Sequence, residues 1–128
     1  MIGAFGVSTW LSQRIGGFYR PPRTWRPFQG EIALPPDFIT RRYADMIHLF
    51  PLGMRNIKFI ALMPKRYNVT VSAIGRDVTI EQVAEVLNRF EFRRFLSPSW
   101  EFNCCCYPLF PVSSARHPYG DRVMRPGV

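Results

Sequence analysis

The chain reads as an α+β protein, a small α-β-β-α core carried between two extended arms. Three observations predict this. Apolar residues recur at helical intervals over 37–50 and again over 80–91. Two β-rich runs, 57–63 and 67–73, lie back to back between them. Of the 12 prolines, all but Pro51 and Pro64 fall within 1–36 or 97–128. A length of 128 residues suits one domain, and 47% hydrophobic residues can supply its core.

Residues 1–36 read as a basic arm rich in proline and rings. Within it Val7, Trp10, Leu11, Ile15 and Phe18 fall near helical spacing, a short amphipathic stretch that Gly16-Gly17 should end. From Arg20 to Phe28 prolines, arginines and rings alternate, which favours extended and polyproline II backbone. Pro35-Pro36 closes the arm.

The helix expected over 37–50 starts at Asp37, whose carboxylate can cap the free amides of a first turn. Ile39, Tyr43, Met46, Ile47 and Phe50 form its apolar side, with Arg41, Arg42 and Asp45 opposite. Pro51 should stop it and Gly53 complete the turn.

The run 57–63 is short and apolar and is bounded by Asn56 and Pro64, as suits a buried strand. In 67–73, Val69 and Val71 alternate with Thr70 and Ser72, so two faces are expected. Pro64-Lys65-Arg66 is the hairpin loop between them.

The second helix carries the strongest local signal. Thr79 and Gln82 stand at capping-box spacing, with Asp77 adding negative charge near the helix start. Ile80, Val83, Ala84, Leu87 and Phe90 form the expected buried stripe, and Glu85 precedes Arg89 by four residues. Beyond residue 96, Pro98, Pro108, Pro111, Pro118 and Pro126 leave room for short strands only. The core, 37–96, is about 60 residues long and marginal alone, which favours support from partners. Proline- and glycine-rich ends fray unless tied down, so both arms are expected to be held by neighbouring subunits.

Charge bears on what those partners are. Seventeen basic residues, 15 of them arginine, outnumber nine acids, for a net charge of +8. Charged residues are only 20% of the chain, so the imbalance reflects scarce acids more than dense bases. Arginine pairs bidentately and stacks on rings, and with Trp, Tyr and Phe it is enriched at protein interfaces. The partner-binding residues expected are Trp10, Arg14, Arg20, Arg23, Trp25, Arg26 and Phe28 in the first arm. Arg93 and Arg94 join them from the core, and Arg116, Arg122 and Arg125 from the second arm.

Other function classes find little support. The chain has no metal-dependent hydrolase, phosphate-loop or nucleophile motif, so no enzyme and no cofactor is expected. His48 is expected late in the first helix, as a helix-surface or packing histidine rather than a catalytic one. Cys104-Cys105-Cys106 lacks the paired spacing of a zinc site, and buried apolar packing is expected for all three. No stretch is long and apolar enough to span a bilayer, although the amphipathic stretch in the first arm could rest on a membrane surface or anionic lipid.

The first 30 residues hold Arg14, Arg20, Arg23 and Arg26 and no acid, the composition of an organellar transit peptide. The expected function is therefore a non-catalytic structural accessory subunit of a large organellar complex. A mitochondrial respiratory-chain or ATP-synthase assembly fits, with the protein at the inner membrane or in the matrix, stapling neighbouring subunits through its arms. The alternative is a mitochondrial ribosomal protein whose arginines and rings bind rRNA. The α-β-β-α order is shared with small RNA-binding folds, but the Gly-x-x-Gly loop and the aromatic strand pattern of those folds are lacking.

Overall fold

The computed structural model describes residues 23–111, and its packed unit runs from Trp25 to Phe110. Strand β1, Phe28–Ala33, follows from strict alternation: Phe28, Gly30 and Ile32 are buried while Gln29 and Glu31 are half-exposed. Helix α1, Pro36–Tyr43, places proline in its first turn, where a missing N–H costs no hydrogen bond. Strands β2 (His48–Pro51), β3 (Ile57–Pro64) and β4 (Asn68–Gly75) follow, then helix α2, Ile80–Leu87. A 3₁₀ turn at Phe90–Phe92 and the short strand β5, Cys104–Cys106, complete the unit.

The sheet runs β2-β3-β4-β1-β5, and every neighbouring pair is antiparallel. Both β1 and β3 pair with β4, so they are parallel to each other, with α1 in their connection. Likewise β4 and β5 flank β1 and are joined through α2. These are two interleaved split β-α-β units, the ferredoxin-like arrangement, with β2 as an added strand at one edge. The protein is thus mixed α+β, and an arrangement so widely used says nothing by itself about function.

One face of the sheet buries the core. Phe28, Ile32, Ile60, Leu62, Val69 and Val71 pack in one cluster with Ile39 and Tyr43 of α1 and Val83, Val86 and Leu87 of α2. Phe92, Phe95 and Leu96 belong to the same cluster. Two glycines are fixed by close approach. A Cβ at Gly75 would lie 1.8 Å from the Asn56 carbonyl oxygen, which accepts from the Arg76 N–H at 2.9 Å. A Cβ at Gly30 would meet the Phe102 ring at 2.7 Å.

The opposite face is polar over its central strands. There Glu31 accepts hydrogen bonds from Lys65 and Asn68, and from Thr70 at 3.4 Å. The bond from Lys65 is the main cause that lowers the Glu31 carboxyl below its usual range.

Several expectations are corrected. The first helix ends at Tyr43 rather than at residue 50, because Ala44 and Asp45 take left-handed backbone at φ 46° and 57°. Met46 and Ile47 are then exposed, and 48–51 form β2. Pro35 stands at the N-cap with no side-chain cap, and Asp37 lies in the first turn instead. Residues 28–33, expected within the extended arm, form a strand flanked on both sides in the sheet. Helix α2 begins as expected, with both halves of the Thr79–Gln82 capping box made, but it stops at Leu87. Phe90 is 83% exposed and so is not part of the buried stripe.

The hairpin turns through Lys65–Tyr67, and its second strand spans 68–75 rather than 67–73. No described helix is long and apolar enough to cross a membrane. The amphipathic stretch around Trp10 and most of both arms lie outside the described residues.

Candidate partner-binding surface

Among the described residues, four exposed arginines rest on rings: Arg26 on Tyr107 (5.8 Å), Arg42 on Phe38 (5.9 Å), Arg66 on Tyr67 (5.1 Å) and Arg94 on Phe95 (4.7 Å). A ring beneath the guanidinium restricts the flexible stem while leaving donors free for an outside acceptor. Less side-chain entropy is then lost when a carboxylate or phosphate is bound.

The residues expected to bind partners divide accordingly. Arg23, Arg26, Arg93 and Arg94 are exposed, and Trp25 is half-buried. Phe28 is corrected: it is fully buried, with its ring edge-on to Phe102 at 5.0 Å and Tyr107 at 5.7 Å, so it serves the core and not a partner. Trp10, Arg14, Arg20, Arg116, Arg122 and Arg125 lie outside the described residues.

The cysteines are corrected too. All three are exposed, on β5, an edge strand whose neighbour among the described residues is β1. Among the described residues no three His, Cys, Asp or Glu side chains converge as a metal site. His48 packs: its Nε2 lies 3.2 Å from the Tyr43 carbonyl and its ring 4.6 Å from that of Phe95.

Sequence reasoning missed the outer edge of β2. Leu52 donates its N–H to the Lys58 carbonyl at 3.0 Å, so alternation turns Phe50 and His48 toward β3 as well. The backbone groups of Ile47 and Leu49 therefore point away from the sheet. The side chains there are apolar and open: Met46 is 57% exposed, Ile47 61% and Leu49 63%. No acid, lysine or arginine lies between Met46 and Leu52, so of the usual guards of an edge strand only Pro51 and the four-residue length are present.

Arginines flank this edge on the side that bears the helices. Arg89 shares a shallow cavity with Leu49–Leu52, Glu91 and Phe92, and its Nη2 lies 3.9 Å from Met54 Sδ. Arg94 covers Phe95, whose ring packs against His48 and, at 5.5 Å, Phe50. Exposed Arg89 thus lines the Leu49–Leu52 stretch, and exposed Arg94 reaches β2 through the Phe95 ring. His48 and Phe50 alternate with Leu49 and Pro51 in burial only; the residue types His-Leu-Phe-Pro do not alternate in polarity, so the sequence gives no period-two signal there.

No protein-family model matches the chain, and no curated protein or solved structure matches it either.

Proposed function

We propose that the protein is a non-catalytic structural subunit of a larger protein assembly, working by contact with its neighbours. The observation that carries this is the uncharged outer edge of β2, with Ile47 at 61% and Leu49 at 63% exposure beside ring-stacked arginine. An apolar edge without charge, blunted only by Pro51 and its four-residue length, is an aggregation hazard in a free monomer, and it is tolerable where a partner covers it. The ends of the chain extend the same chemistry. Arg14, Arg20, Arg116, Arg122 and Arg125 stand there against one acid, Asp121. The acid-free first 30 residues support an organellar setting, with a mitochondrial respiratory-chain or ATP-synthase complex as the host.

RNA is the competing partner. In small sheets that read RNA, rings on the two central strands stack bases. The corresponding face of β1 and β4 carries Gln29, Glu31, Asn68, Thr70 and Ser72, none of them a ring, and the Glu31 carboxylate there is paired with Lys65. This favours protein. The test is photo-cross-linking of the full chain in its source cells from a photoreactive residue at Arg93 or Trp25. The expected result is a fixed, small set of protein neighbours. Cross-links mainly to RNA, or a chain recovered alone, would overturn the proposal.

A further inference from the structure

The edge of β2 carries a more specific inference, which rests on the proposed role as a structural subunit. Ile47 and Leu49 direct their N–H and C=O groups outward, and Pro51 adds a carbonyl but no N–H. On the helix-free face Leu49 lies opposite Ala61, diagonal to Phe59 and Met63, an apolar strip that an added strand could extend. On the other face Arg89, with Glu91 beside it, lines the cavity along Leu49–Leu52, and Arg94 lies over the Phe95 ring that packs on His48 and Phe50.

We propose that this edge takes an extended segment of a partner protein as a sixth strand. In that segment apolar side chains extend the Leu49 strip, and alternate carboxylates on the opposite face meet Arg89 and Arg94. Strand addition of this kind draws affinity from the backbone ladder and specificity from alternate side chains.

Charge and hydrogen bonding select an acidic partner over a second copy. Two copies paired antiparallel about Leu49 would bring Arg89 and Arg94 of both copies onto one face of the joined sheet, a repulsion between like charges. The same register places Ile47 opposite Pro51, leaving the Ile47 carbonyl without a donor. An acidic segment with amides throughout avoids both costs.

The test uses the full chain and two fluorescein-labelled peptides of about nine residues, one alternating Glu with Val and the other Lys with Val. Binding is read by anisotropy, and amide hydrogen exchange is followed at Ile47 and Leu49. The Glu/Val peptide should bind, weaken with salt, and slow exchange at both amides about ten-fold or more. The double variant Arg89→Glu/Arg94→Glu, at two exposed positions, should lose about ten-fold in that affinity and gain for the Lys/Val peptide.

Equal binding of the two peptides, or unchanged exchange at Ile47 and Leu49, would overturn the proposal. So would a concentration-dependent dimer that protects the Leu49 amide, since the occupant would then be a second copy. If the peptide fails while photo-cross-linking still returns fixed protein neighbours, only strand addition falls. If no neighbours are found, the structural role itself falls.

Discussion

The hydroxyl of Tyr43, in the last turn of α1, donates to the carbonyl of Phe95 at 2.7 Å. This buried bond ties the end of the first helix to the segment after the second, 52 residues along the chain. Tyr43→Phe keeps the ring and leaves the Phe95 carbonyl without that donor. The expected loss is about 1–2 kcal/mol of unfolding free energy, read by urea denaturation. Burial also raises the Tyr43 phenol above its ordinary value near 10. The unfolded chain then releases this proton first, so stability is full below about pH 10 and falls as pH rises beyond it. In Tyr43→Phe that alkaline slope should be shallower.

Gly75→Ala should destabilise the fold, because the new methyl meets the Asn56 carbonyl oxygen 1.8 Å away. That oxygen is backbone within the bend leading into β3, so relief requires the β3–β4 ladder to shift. A cost of about 3 kcal/mol, the upper end for overpacking, is expected in thermal or urea unfolding.

On the open sheet face, Glu31 titrates below its usual range because Lys65 donates to it, with a further bond from Thr70. Its contribution to stability is present above the unfolded carboxyl value and is lost as pH falls through the lower folded value. Glu31→Gln should therefore flatten the acid limb of the stability–pH curve and leave the curve's shape near neutrality unchanged.

Cys104, Cys105 and Cys106 are exposed on β5, so an aromatic disulfide reagent should titrate all three thiols in the native protein at rates close to those in denaturant. Protection of any of them from the reagent would contradict their placement.

What the sequence made legible depended on whether one local signal stood alone. The Thr79–Gln82 box located the start of α2, and the alternation of Val69 and Val71 with Thr70 and Ser72 located β4. In 37–50 a helix competes with a strand: Ile39, Tyr43, Met46 and Phe50 satisfy a helical period, while His48–Pro51 alternate only in burial, which the residue types do not show. The left-handed turn at Ala44-Asp45 decided between them, and neither residue announces such a turn as glycine would. Strand β1 was masked by the prolines before it and by Gly30, whose missing side chain is what admits the Phe102 ring. The cysteines were expected inside because free thiols usually are, but only the pairing of β5 with β1 reveals their place on an edge. The arginines of 23–26 and 93–94 could be named from sequence. The open edge beside Arg89 and Arg94 could not, because it arises from the ending of α1 at Tyr43.

The most direct test is photo-cross-linking in the source cells from a photoreactive residue replacing Leu49, in the full chain. A single protein neighbour, captured through an acidic segment, is the predicted result, and it should be lost when Arg89 and Arg94 are changed to glutamate. Capture of RNA, of a second copy of the chain, or of no neighbour at all would contradict the claim that this edge joins the protein to an assembly.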